Sequence, residues 1–190
     1  MTAYLLAGPA EEPVSLDEVR DFLKIDGGAE DGLLATLVAA ARVHIESTTA
    51  HAMIAQTWRL ALDAWPQAER LPLPVAPIFS IEAMTAYDPE GEPTEIDQSQ
   101  VVADTRAGAL LLPVPAPALP GLRQRHGIEI DYVAGYGSTP AEVPADLRQA
   151  VLGLAAYWYE NRGMVLPSGG VAVVPPGFDR LIAAYRRRGL

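Results

Sequence analysis

Two hydrophobic periods alternate along this 190-residue chain, and the points where one yields to the other divide it. The first is helical. In "SLDEVRDFLKI" the apolar positions Leu16, Val19, Phe22 and Leu23 recur three and four apart, behind a Ser15 with Glu18 three places on, the pattern of a capped helix start. Gly27 and Gly28 end it, because paired glycines supply turn conformations and lower helix propensity. A second helix follows from about Asp31, with Leu34, Val38, Ala41 and Ile45 on one face and an Arg42/Glu46 pair off it, fading near Thr48 and Thr49.

From Gln56 the period becomes two. Trp58, Leu60, Leu62 and Ala64 alternate with Thr57, Arg59, Ala61 and Asp63, as in a strand with one buried face. Further strands are expected over 80–87, 100–104, 109–114 and 127–133, with "DPEGEP" (88–93) as a hairpin loop. The proline-dense pieces 71–77 and 113–120 cannot donate to a ladder. They belong on sheet edges or in extended loops, either as connections within the β region or as arms lying against a neighbouring subunit.

Helical spacing returns after Gly135, Gly137 and Pro140. Pro144 sits at a helix start and Asp146 in its first turn, and Leu147, Val151, Leu154 and Trp158 form the stripe. Tyr157 and Tyr159 flank that stripe, so the helix is apolar around much of its circumference and is expected to be buried against more than one surface. Gly163 is expected to end it. A loop (165–177) leads to "FDRLIAAYRRRGL", where Phe178, Leu181, Ile182 and Tyr185 share a face. The expectation is an α+β fold: a mainly helical core, a small antiparallel β insertion and a C-terminal tail helix. Its parts are N-terminal helices (1–55), the β insertion (56–135), the long core helix (136–164), and the loop and tail (165–190).

Charge narrows the functions. Acidic residues number 24 against 14 basic ones, a net charge of -10, which disfavours wrapping nucleic acid because phosphates need a basic face. The closing segment departs from this, with Arg180, Arg186, Arg187 and Arg188 against a single acid, Asp179. Such arginines suit a solvated helix end, a docking tail for an acidic groove, or a DNA contact, the last disfavoured by the acidity of everything upstream. The start lacks the basic and apolar regions of a signal peptide, and no apolar run is long enough to span a bilayer, so an intracellular protein is expected.

Catalytic patterns are weak. No cysteine is present, the one lysine (Lys24) is outside any phosphate-binding glycine loop, and "GYGSTP" (135–140) has Pro140 where a dinucleotide loop needs its third glycine. His44, His51 and His126 are not at metal-ligand helical spacing. No catalytic, cofactor or metal residue is assigned. A small intracellular enzyme with an unrecognised site, or a generic β-containing binding module, are the competing readings.

Taken in order, "VSLDEVRDFLKID", "DGLLATLVAAARVHIESTT" with "AQTWRLALDAWP", "VAGYG" followed by "VPADLRQAVLGLAAYWYENRG", and "PPGFDRLIAAYRRRGL" resemble the head-tail connector (adaptor) family of tailed phages and phage-derived gene transfer agents. The resemblance implies a structural role: about a dozen copies form a ring beneath the portal of a DNA-filled capsid and carry the tail. It implies as partners the portal protein, a tail-side neck protein (stopper or tail terminator), and double-stranded DNA passing through without specific binding. It implies no cofactor and no membrane. The location would be the bacterial cytoplasm during assembly, then the particle neck. Family members dock on the portal through their C-terminal segment, which maps to Phe178, Arg180, Leu181, Ile182, Tyr185, Arg186, Arg187 and Arg188. A ring would place Leu147, Val151, Leu154, Tyr157, Trp158 and Tyr159 at subunit interfaces.

Overall fold

In the computed structural model, residues 1–105, 107–161 and 174–187 are described. They fall into two units. One takes Met1–Pro9 and Ala55–Tyr136; the other takes Ala10–Ile54 with the described residues from Gly137 onward.

The first unit is all strand. A five-stranded antiparallel sheet has the order β1 (Thr2–Ala7), β2 (Gln56–Leu62), β8 (Ile128–Ala134), β4 (Ile78–Tyr87), β5 (Pro93–Glu95). A three-stranded sheet has the order β3 (Arg70–Pro72), β7 (Ala109–Leu111), β6 (Val102–Asp104). The period-two reading of β2 corresponds to its pairing: Leu60 sits opposite Ile130, and Ile130 opposite Met84, all fully buried. Along β8, Ile128, Ile130, Tyr132 and Ala134 are buried while Glu129, Asp131 and Val133 between them are not, because successive side chains point to opposite faces.

The face that bears Glu129 and Asp131 carries an ion-pair network. Arg59 donates from Nε and Nη2 to the two Asp131 oxygens, each at 2.6 Å, and its Nη1 lies 2.7 Å from Glu129. Arg123 donates to Glu129 at 3.1 Å, the Tyr87 hydroxyl does the same at 3.1 Å, and the Arg123 guanidinium stacks 4.1 Å over the Tyr87 ring. The Asp131 hydrogen bond raises the Arg59 pKa further, so this guanidinium stays charged. The network joins β2, β4 and β8 on the side that the apolar core does not reach.

The second unit is helical: α1 (Leu16–Leu23), α2 (Asp31–Thr49), α3 (Ala145–Glu160) and the short α4 (Phe178–Ile182), followed by a 3-10 turn (Ala183–Tyr185). The Ser15/Glu18 capping box is formed, with the Ser15 N–H donating to Glu18 at 2.8 Å and the Glu18 N–H to the Ser15 hydroxyl at 3.2 Å. The core draws Val19 from α1, Leu34, Val38, Ala41 and Ile45 from α2, and Leu147, Val151 and Leu154 from α3. Arg42 joins α2 to the preceding segment, donating to Glu12 at 2.7 Å and to Glu46 at 2.8 Å.

The expectation of a mainly helical molecule is corrected. Helix accounts for 31% of the described residues, and eight strands form the two sheets. Three strands escaped the sequence pattern for a physical reason. β1 is exposed along both faces and so shows no alternation, while β3 and β5 are three residues long, too short for a period of two to stand out.

Candidate functional site

The closing segment is the place where the sequence concentrates arginine beside an apolar face, and the helical unit shows how that segment is held. Gly177 takes the left-handed conformation (φ 85°) that starts α4, and two bonds close its first turn, from Phe178 N–H to the Pro175 carbonyl at 3.1 Å and from Arg180 N–H to the Gly177 carbonyl at 3.0 Å. Of the apolar face, Phe178 and Ile182 are buried at 6% and 0% exposure, whereas Leu181 stays 40% exposed.

Their bed is made by α2 and α3. His44 lies 6.0 Å from the Trp158 ring, edge-on, and 6.1 Å from Phe178, so an imidazole bridges α3 and α4. Seven residues further on, His51 meets the Tyr185 ring edge-on at 6.2 Å, and the Tyr185 hydroxyl donates to Asp146 at 2.7 Å. Burial lowers the His51 pKa below its ordinary 6.5, and Arg187 pushes the same way, against a backbone contact with Thr49. Arg186 pairs with Asp179 inside the segment, and Arg180 points to solvent. Beside the segment a shallow groove of about 310 Å³ is lined by Gln149, Gly153, Leu154, Pro175, Phe178 and Leu181 among others.

The expected docking residues therefore divide. Phe178 and Ile182 are inside, Tyr185 and Arg187 are half-buried, and Arg180, Leu181 and Arg186 are outward. Arg188 lies outside the described residues. The expected interface residues divide too. Leu147, Val151, Leu154 and Trp158 are closed off by the chain's own packing, at 1%, 0%, 0% and 7% exposure, because α1, α2 and α4 meet α3 on that side. Tyr157 and Tyr159 keep surface, and the Tyr159 hydroxyl donates to Glu30.

The entry to α3 is built rather than loose. Thr139 and Glu142 form a second capping box, with the Thr139 N–H donating to Glu142 at 2.9 Å, and this bond is the main cause of the lowered Glu142 pKa. Gly137 bridges in parallel to Ile54 and is required there, since a Cβ would fall on the Glu142 carboxylate. Pro144 takes the N-cap position, and α3 begins at Ala145. Asn161 ends α3 by bonding the Tyr157 carbonyl through its backbone N–H (3.0 Å) and its side-chain amide (2.8 Å); the expected terminator Gly163 lies outside the described residues.

Among the described residues, no group of three or more histidine, aspartate or glutamate side chains stands where a metal could be held, and no helix is long and apolar enough to cross a membrane. The charged cluster around Glu129 and Asp131 has its carboxylates matched by Arg59 and Arg123, which is an arrangement for rigidity.

Residues 12–165 match a protein family described as head completion protein. No curated protein matches the chain. Among solved structures, the chain is similar over its full length to chains of three gene transfer agent assemblies. One is the neck of an empty particle computed with C6 symmetry (TM-score 0.82, 30% identity, 100% of this chain and 97% of that one). A second is the virion of a native particle (0.80, 32%, 100% and 97%). A third is the neck of a native particle computed with C12 symmetry (0.77, 31%, 100% and 97%).

Proposed function

We propose a neck function for this chain, which belongs to the head completion protein family: it is a structural head-tail adaptor of a phage or phage-like particle. Full-length similarity to neck chains at 30% and 31% identity is the observation that carries this reading, since it spans both units and not one fold element alone.

The finer parts follow from it. Copies of the chain stand side by side in a ring, for which the C12 and C6 symmetries of the similar necks are the support. Twelve copies match the C12 case. The ring sits between the portal protein and a tail-side neck protein, with DNA passing through it unbound, and the protein performs no chemistry. Tyr157 and Tyr159 are the members of the expected interface set with surface left to offer a neighbour.

The C-terminal segment is the portal-docking element. Arg180, Leu181 and Arg186 already present a mixed cationic and apolar surface, and Phe178, Ile182 and Tyr185 become available when the segment leaves its bed. A chain ending at Gly177 tests this. It is expected to fold, to keep its far-ultraviolet circular dichroism nearly unchanged, and to fail to bind portal rings in sedimentation. A truncated chain that binds the portal as the full chain does would contradict the assignment.

A further inference from the structure

We propose that neighbouring copies of this chain meet through the two open edges of the five-stranded sheet, β5 of one copy lying beside β1 of the next. The inference rests on the ring reading above and adds a surface to it.

The edge formed by β1 lacks most of the features that keep a strand from recruiting another. Thr2–Ala7 contains no charge, proline or glycine, one side pairs with β2, and the other has no strand beside it among the described residues. Tyr4, Leu5 and Leu6 on it are 40%, 47% and 45% exposed. Edges left to face water are ordinarily blunted by charge, proline or brevity, because they otherwise recruit another strand. On β1 the one blunting feature is a register shift between Leu5 and Ala7, whereas the opposite edge, β5, is three residues long, begins with Pro93 and ends with Glu95.

The two edges are complementary in direction and in charge. Each strand in the order β1-β2-β8-β4-β5 is antiparallel to the one beside it, so β1 and β5 run the same way. A rotation about an axis along the strands carries β5 of one copy to β1 of the next with the same ends adjoining. At that shared end the β5 side holds Asp88, Glu90 and Glu92, with Glu95 further along and no base among them. None of these four forms an ion pair among the described residues; the Asp88 carboxylate is occupied by the Glu90 and Glu92 N–H groups at 3.0 and 2.8 Å. The same end holds Arg125 and His126 in the loop that enters the central strand β8, tied to the end of β2 by the His126 N–H donating to Asp63 at 2.9 Å. Arg123 is already committed to Glu129, and the exposed Arg125, whose charge also acts on Asp63 of its own copy, is the cation this end offers to the acidic loop of a neighbour.

The absence of cysteine from the chain permits a direct test. Leu5→Cys and Thr94→Cys are introduced together, particles are assembled with the variant, and their necks are treated with a short bismaleimide. The expected result is a ladder of covalent multimers rising to the ring number. Each single variant is expected to stay monomeric, and a mixture of the two singles to stop at dimers. A double variant present in necks at normal copy number that remains monomeric overturns the proposal while leaving the ring reading intact; absence of the unsubstituted chain from necks overturns both. A charge swap guards against a cysteine variant that misfolds. Glu90→Arg with Glu92→Arg, or Arg125→Glu alone, should each lower neck incorporation about tenfold, and the three combined should restore it. Failure of the combination to restore incorporation counts against the pairing.

Discussion

α3 and the C-terminal segment carry the same kind of pattern in sequence, an apolar stripe beside polar positions, yet the molecule holds them differently. α3 has sixteen residues, an entry led in by the Thr139/Glu142 box of the preceding 3-10 turn, an asparagine stop and seven buried side chains. The segment from Phe178 to Tyr185 is a five-residue helix and a 3-10 turn anchored by two buried side chains, two imidazole contacts and one tyrosine hydroxyl. An isolated helix this short is not stable in water, so its order is borrowed from the bed beneath it. The lesson is that spacing shows which side chains are apolar and packing shows which are spare. The stripe of α3 is spent on the chain's own core, and the lightly held stripe is the one to which the docking proposal assigns a second partner.

The largest difference should appear on the α3 side. Leu154→Ala removes a fully buried side chain from the centre of the helical unit and should cost about 2–5 kcal/mol in urea-induced unfolding. Phe178→Ala is the paired experiment. If Phe178 were locked in as α3 is, it would cost about 3–5 kcal/mol. Under the docking proposal the segment detaches alone, so the loss is capped by its local opening, and a shift under about 2 kcal/mol is expected. Equal shifts for the two variants would break the comparison.

A smaller effect is expected at the α1 cap. Ser15→Ala should cost about 1 kcal/mol by the same measurement, since it removes the acceptor for the Glu18 N–H. An unchanged midpoint would show that the capping box adds nothing to the unit.

The smallest effect is that of pH on the segment. His51 is held below its ordinary pKa of 6.5 chiefly by burial, so the docked state binds fewer protons than the detached one. Its contribution is complete above pH 6.5 and falls away as pH drops below that value. Hydrogen-exchange protection of Arg180–Tyr185 should therefore decline below pH 6.5 relative to α3, and His51→Gln should flatten the decline. A parallel decline in both regions would place the titration elsewhere.

Much of this was legible in the chain. β2 and β8 announced themselves because one face is greasy and the other holds Arg59, Glu129 and Asp131, so alternation and burial agree. The Ser15/Glu18 box and the apolar stripe of α2 were equally plain. β1 was not, since an edge strand exposed on both faces has no period to read, and its partner β2 lies some fifty residues away in sequence. For the closing segment the sequence marked the apolar face and the arginines. It could not say that Phe178 and Ile182 would be folded inward against His44 and its neighbours, because that depends on tertiary packing.

The most direct test of the central claim is a reconstruction, without imposed symmetry, of the neck of particles assembled with this chain. The account predicts a closed ring of its copies between portal and tail, one C-terminal segment from each reaching the portal. A neck built without the chain, or copies that touch the tail side alone, would contradict it.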